Sequence, residues 1–294
     1  MGNTTAIIFG ANGQDGFFLS ILLKKKGIKV INISRKNSDV CGDVSDYAFV
    51  EDQIKKNQAD YIFHLAANST TRHDVLFENH ETISTGTLNI LEAVRLHSIK
   101  SKIFLSGSAM QFENEGLPIT EATDFDGNSP YSIARIQSVY AARYYQKSFG
   151  LKVYVGYFFN HDSPLRTEHH VNQKIVRAVQ RIAQGSKELL ILGNIDVRKE
   201  FNYAGDMVEA IWILINQDSI FEVVIGCGKA YSIKDWVKYC FEKVNLHWED
   251  HVKLEQNYIP EYKILVSSPE KLMSLGWTPA VDFYQLANMM MNEQ

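Results

Sequence analysis

The 294-residue chain is 45% hydrophobic and 22% charged, an ordinary globular composition with length for one large lobe and a smaller one. Its formal net charge of −4 offers no basic footprint for nucleic acid, and its longest apolar runs are of strand length, far short of the roughly 20 residues a membrane span needs. Cys41, Cys227 and Cys240 are too widely spaced for a C-x-x-C site, and no basic segment precedes a long apolar run at the start, so a cytoplasmic location is expected, without a metal.

Residues 6–9 form an apolar run ending at Gly10, and residues 17–26 have helical spacing that stops at Gly27. Runs at 29–33, 61–65, 102–106 and 152–159 alternate with helical patterns at 47–56, 85–97 and 131–149. This alternation predicts parallel strands joined by right-handed helical crossovers, a doubly wound parallel α/β sheet, over residues 1–160. Residues 161–294 are less regular. Helical patterns at 174–185, 206–216 and 232–244 are separated by short runs at 189–192 and 221–225, and small elements close the chain. They predict a smaller lobe packed on the sheet, with some segments returning to it.

Gly10-Ala11-Asn12-Gly13-Gln14-Asp15-Gly16 directly follows the first strand and opens the first helix. Glycine permits the tight turn and a close approach of backbone to a pyrophosphate, and the helix N-terminus supplies N–H donors and partial positive charge. Gly10, Asn12, Gly13, Gln14, Asp15 and Gly16 are therefore candidate dinucleotide ligands. After the second strand stand Arg35 and Lys36, with no carboxylate to bind a ribose 2′-hydroxyl; the pair suits a 2′-phosphate, hence NADP, with NAD the alternative, or it is a pair of solvated charges. Asp43 either accepts from the adenine amino group, beside Val44, or caps the helix at 47–56. Leu65, Ala66 and Ala67 end the next strand and leave room for the cofactor.

Ser108 follows the strand at 102–106, and Tyr131 and Arg135 open the long helix. Residues four apart share a helix face, so the cation favours the tyrosinate and makes Tyr131 a candidate general acid/base. Ser108 would hydrogen-bond the same alcohol or carbonyl oxygen while a hydride passes to or from a nicotinamide.

With these motifs, the chain resembles the extended short-chain dehydrogenase/reductase family of Rossmann enzymes, and within it the GDP-mannose 4,6-dehydratase branch. The segments that carry the resemblance are G-A-N-G-Q-D-G from Gly10, Arg35-Lys36, Phe159-Asn160-His161-Asp162-Ser163-Pro164, Leu192-Gly193-Asn194-Ile195-Asp196 and Leu275-Gly276-Trp277-Thr278-Pro279. The resemblance implies Tyr131 and Ser108 as catalytic residues, Arg135 in the place of the family lysine, and a sugar-nucleotide site lined by Asn160 and the stretch from His161 to Lys174. Met110, Arg177, Gly193 and Lys199 join that substrate-binding set. The implied partner is a GDP-hexose or GDP-heptose, and the implied assembly is a homodimer through the helices at 85–97 and 131–149.

The departures bear on the chemistry. Arg135 keeps the charge of the family lysine but cannot give up a proton. Where a 4,6-dehydratase of this branch carries glutamate two residues after its hydroxyl, this chain has Met110, and a thioether does no acid/base work. The R-D-W stretch reads Lys199-Glu200-Phe201, and an arginine before proline reads Ile259, which leaves Lys199, Arg198 and Arg177 as candidate cations. Hydride machinery without elimination machinery points to oxidoreduction at sugar C4, as 4-keto reductase or 4-dehydrogenase. A 4-epimerase, a 4,6-dehydratase with another carboxylate, and a non-catalytic dinucleotide sensor are the alternatives.

Overall fold

Helices cover both faces of a parallel sheet, so its central strands are continuous apolar runs rather than alternating ones. In the computed structural model, which describes residues 4–292, β1 (Thr5–Phe9), β4 (Tyr61–His64), β5 (Lys102–Ser108) and β6 (Lys152–Phe158) are buried along nearly their whole length. With β2 (Lys29–Ser34), β3 (Val40–Cys41) and a seventh strand, Glu222–Ile225, they form one sheet of order β3-β2-β1-β4-β5-β6-seventh, every pair parallel. The strand order reverses between β1 and β4. A crevice therefore opens beyond the carboxyl ends of these two strands, where ligands of open α/β sheets bind.

The helices α1 (Gln14–Lys25) and Ala204–Ile215 pack on one face, around Ile8, Leu19, Phe63, Phe104 and Ile211. Against the other face lie Tyr47–Asn57, Gly86–His97 and Pro130–Phe149, around Ile7, Ile54, Ile90, Val94, Val139 and Val153. A separate core around Val179, Trp236, Phe241 and Leu286 joins the helices Val171–Ala183, Ile233–Glu242 and Phe283–Asn292. No helix among the described residues is long and apolar enough to cross a membrane.

The sheet has more strands than the five runs of the first 160 residues predict. Val40–Cys41 is too short to carry a pattern, and Glu222–Ile225 is delivered to β6 from the second half of the chain. The helix expected from residue 85 is also longer. Helical turns at Leu76–Asn79 and a π-helical stretch at His80–Thr85 run into it through Gly86. A side chain at Gly86 would stand 2.9 Å from Val44 Cγ1, so the glycine marks a close crossing, not a helix end.

Candidate active site

The three glycines of the loop serve different ends. Gly10 has φ +88°, and a Cβ there would lie 2.5 Å from the backbone nitrogen of Ala66. A Cβ on Gly16 would lie 2.4 Å from the Gly10 carbonyl, so this glycine lets α1 pack against the strand end. At Gly13 the nearest protein atom would be 3.3 Å away. Its bare backbone, in ordinary extended geometry, faces the ligand side at the N-cap of α1.

Two cavities meet at this loop, sharing Gly10, Gly13, Leu65 and Ala67. The first, of about 540 Å³, is lined by Asn12, Ser34, Arg35, Lys36, Asp43, Val44 and Ala66. The Asn12 amide nitrogen Nδ2 donates to the Lys36 carbonyl at 2.5 Å, and its backbone N–H donates to Ser34 Oγ at 3.1 Å, which folds the glycine loop onto the end of β2. Arg35 is exposed and sits 3.5 Å from Glu78, a weak surface pair that leaves the guanidinium free to turn. Asp43 is not the cap of helix Tyr47–Asn57; Asp46 is, accepting from the Phe49 N–H at 3.2 Å. Asp43 instead accepts from the N–H and hydroxyl of Ser45, both at 2.9 Å.

The second cavity, of about 430 Å³, holds the candidate reacting residues Ser108, Tyr131 and Arg135 with Gln14, Asp15, Gly16, Met110, Asn160 and Lys199. Ser108 ends β5 and caps the short turn Ala109–Gln111. Its Oγ accepts from the Met110 N–H at 3.2 Å, which leaves the hydroxyl proton to be donated. The helix Pro130–Phe149 starts sharply because Ser129 caps it and proline occupies its first turn. That fixes Tyr131 in the cleft wall, 8% exposed, and buries Arg135 one turn on. The Arg135 guanidinium lies 5.1 Å from the Tyr131 ring centroid and donates through Nη1 to the Ser106 hydroxyl at 2.8 Å and to the Ser106 carbonyl. Its Nε is buried with no partner among the described residues.

Lys199 is buried in the cleft with its Nζ 5.2 Å over the Phe201 ring. Burial lowers its pKa, against the attraction of Asp162. Asn160 accepts from Asn202 Nδ2 at 2.9 Å through its carbonyl, while its side-chain oxygen is 3.5 Å from the Tyr262 hydroxyl.

Three expected substrate residues do not line this cleft. Lys174 donates to the Ile191 carbonyl at 2.7 Å, because the buried face of its helix is set by Ile175, Val176 and Val179. Arg177, further along the same helix, reaches Gln180 at 3.1 Å and borders a different surface hollow. Gly193 lies under the Tyr258 ring, 2.7 Å from where its Cβ would be. Arg198 also turns away, donating to the Ala230 carbonyl at 2.8 Å.

Other cleft residues carry no signal in local spacing. His161 binds Asp15 at 2.9 Å across 146 residues, Ser163 donates to Gln14 at 2.6 Å, and Arg166, His170, Glu261 and Tyr262 also line the cavity. Glu261 accepts from the Thr71 hydroxyl. Glu113 and Glu115 are exposed and outside the cleft.

A family profile described as GDP-mannose 4,6 dehydratase matches residues 7–290. The chain is 31% identical to GDP-mannose 4,6 dehydratase 1 of Arabidopsis thaliana over 98% of its own length and 89% of the relative's. In fold it is similar to RMD from Pseudomonas aeruginosa, solved with NADPH (TM-score 0.87, 18% identity, 98% of each chain covered). It is also similar to dTDP-glucose 4,6-dehydratase from Bacillus anthracis, solved with NAD (TM-score 0.86, 18% identity, 98% and 95% covered). Sequence match over nearly every residue and a parallel sheet with its glycine loop at the switch point agree: this chain belongs to the GDP-mannose 4,6-dehydratase family of extended short-chain dehydrogenases/reductases.

Proposed function

We propose that this chain is a nicotinamide-dependent oxidoreductase acting at C4 of a GDP-linked sugar, with NADP as the preferred cofactor. The observation that carries the reading is Met110. It lines the cleft beside Ser108 and Tyr131, where the branch carries its eliminating glutamate, and packs against Ile83, Tyr131 and Ala134. A thioether there leaves proton transfer at C4 intact and removes the base for water loss.

The residues present suit a dinucleotide. The bare Gly13 backbone fits a diphosphate, Arg35 and Lys36 fit a 2′-phosphate, and the orphaned Nε of Arg135 fits a ribose hydroxyl. When bound, a reduced nicotinamide supplies the hydride that a C4 carbonyl accepts. Tyr131 gives its phenolic proton to the carbonyl oxygen, and takes one back in the reverse direction. Ser108 orients that oxygen through its hydroxyl hydrogen. Arg135 would hold the ribose and keeps its own positive charge over the Tyr131 ring. Lys199 would neutralise substrate diphosphate. The residues of 161–294 outside the helix Ala204–Ile215 and the strand Glu222–Ile225 would form the substrate lobe, as against a dinucleotide-binding region over 1–160. The exposed Leu88, Leu96, Tyr140 and Tyr144 on the two helices at 86–97 and 130–149 support a homodimer through that face.

The test is incubation of the purified protein with NADPH and a GDP-4-keto-6-deoxy sugar, and separately with GDP-mannose. Net NADPH consumption with the keto sugar is expected, and Tyr131→Phe should abolish it. A 4-keto-6-deoxy product from GDP-mannose overturns the reading. One observation favours that second reading, a 4,6-dehydratase: Glu261 brings a carboxylate into the same cleft. Glu261→Gln would then stop product formation.

A further inference from the structure

A carboxylate in the first turn of α1 is a puzzle. Asp15 lines the cleft where the helix N-terminus would receive a dinucleotide diphosphate, and two anions compete for the same N–H donors. We infer that His161 is held as an imidazolium whose task is to neutralise Asp15, so that the first turn of α1 can accept the diphosphate. The inference rests on the proposed dinucleotide-dependent function.

The ring geometry forces the charge. His161 Nδ1 stands 2.8 Å from the Phe159 carbonyl oxygen, an obligate acceptor, so that nitrogen carries a proton. Nε2 stands 2.9 Å from Asp15 Oδ1, and an ionised Asp15 can only accept there, so Nε2 carries one too. The other charged or titratable groups around the ring are Arg166, which donates to the His161 carbonyl at 3.1 Å, and beyond it Asp162, His170 and Lys199. The Phe158 ring, 5.2 Å from the imidazole, and the adjacent strand bring no charge. Burial opposes the charge on His161, but Asp15 outweighs both burial and Arg166, and the pKa is raised. Asp15 is correspondingly lowered: burial works against ionisation, and His161 and then Arg166 overcome it. The bond from Ser163 Oγ to Gln14 Oε1, 2.6 Å, holds the same two segments together and keeps the pair in register.

As pH rises through the elevated pKa of His161, the ring loses its Nε2 proton and Asp15 faces the diphosphate uncompensated. Cofactor affinity should fall with it. The test is NADPH fluorescence titration from pH 6 to 9 on wild type, His161→Gln, Asp15→Asn and the double variant, with a thermal unfolding midpoint for each. Glutamine can still donate to Asp15 but has no charge. His161→Gln should weaken binding at pH 7 by about tenfold, one like-charge contact of about 1.4 kcal/mol. Asp15→Asn removes the anion itself and should lose the extra weakening at high pH, whatever its affinity at pH 7; the 2′-phosphate of NADPH titrates equally in both and cancels. The double variant should recover most of the loss. Equal weakening by both single changes, without recovery in the double, would overturn the inference and leave the dinucleotide reading standing. If His161→Gln does not fold, parallel pH profiles for wild type and Asp15→Asn overturn it by themselves. Failure of wild type to bind NADPH at all would sink both.

Discussion

The guanidinium of Arg135 lies over the face of the Tyr131 ring, 5.1 Å from its centroid, and is anchored beneath by the hydroxyl and carbonyl of Ser106. An ammonium on a flexible stem would not make this arrangement. Nη1 bonds both oxygens of Ser106 in β5 while the central carbon of the guanidinium stands over the aromatic ring, and both contacts fix where the phenol stands. Arg135 is thus tied to Tyr131 on one side and, through Ser106, to the strand that ends in Ser108.

Arg135→Met should therefore do more than remove a charge. It leaves the Ser106 carbonyl and hydroxyl without their donor and the phenol without its cation. We expect kcat to fall by about 10²–10³-fold, with a raised Kd for NADPH. Arg135→Lys should fall between this variant and wild type, since charge returns but the guanidinium that reaches the Tyr131 ring and Ser106 at once does not. Steady-state kinetics and NADPH titration on the three proteins check the order; lysine equal to arginine in both would show that the guanidinium is dispensable.

The glycines separate stability from binding. Gly16→Ala pushes a methyl to within 2.4 Å of the Gly10 carbonyl, so it should destabilise the fold by about 1–3 kcal/mol, seen as a lower urea midpoint. Gly13→Ala meets nothing closer than 3.3 Å and sits in ordinary extended backbone, so the midpoint should move little. Its methyl points into the ligand space, and NADPH affinity should drop at least about tenfold. The reverse pattern would reassign the two positions.

Tyr131 and Arg135 are legible in the sequence because an i, i+4 spacing on one helix is a geometric statement in itself. The glycine loop is legible because its steric demands are local. A side chain at Gly16 would crowd Gly10 and Ala11 within the loop itself, and Gly10 takes a positive φ; the Ala66 backbone that Gly10 also meets comes from the end of β4 and is not legible. Ser106 as the anchor of Arg135, and His161 as the partner of Asp15, are not legible. Each depends on which of several side chains converge after strands 29 and 146 residues away have aligned. Lys174 and Arg177 fail for a related reason. A helical pattern at 174–185 identifies the buried stripe, but which polar flank meets the cleft depends on how the helix sits on Trp236 and Leu286, a tertiary matter. The resemblance supplied Asn160, Met110 and Lys199, which line the cavity; spacing alone would not have placed them together.

Met110 and Glu261 pose opposite expectations for elimination. Met110→Glu places a carboxylate beside Ser108 and Tyr131, partly open to the cleft, and should produce a 4-keto-6-deoxy sugar from GDP-mannose where wild type makes none. The exchange trades contacts with Ile83 and Ala134 for a charge, so a stability loss of about 1–2 kcal/mol should accompany it. Glu261→Gln should leave C4 reduction within about threefold, because Tyr131 and Ser108 carry that step. Product analysis by chromatography distinguishes these outcomes, and elimination by wild type that disappears in Glu261→Gln would make Glu261 the working base.

His64 should govern part of the acid stability. It ends β4 at 1% exposure, and no acceptor among the described residues stands in hydrogen-bonding geometry to either ring nitrogen. Burial, and then the positive charge of Arg135, push its pKa down to about 4; the nearby backbone of Thr82 and Ile83 pulls only weakly the other way. Below pH 6.5 the unfolded chain binds a proton at this position that the folded chain refuses until about pH 4. Stability from this group is therefore complete above pH 6.5 and declines as pH falls through that window, by about 2 kcal/mol between pH 7 and 4.5. His161 runs the opposite way, since its raised pKa makes its contribution complete below its unfolded value and lost only as pH rises. It cannot account for acid loss. His64→Phe should flatten the acid limb of a urea midpoint against pH by about that amount while leaving the alkaline limb unchanged. An acid limb as steep as that of wild type would mean that His64 is protonated in the folded protein and that Arg135 tolerates a second cation beside it.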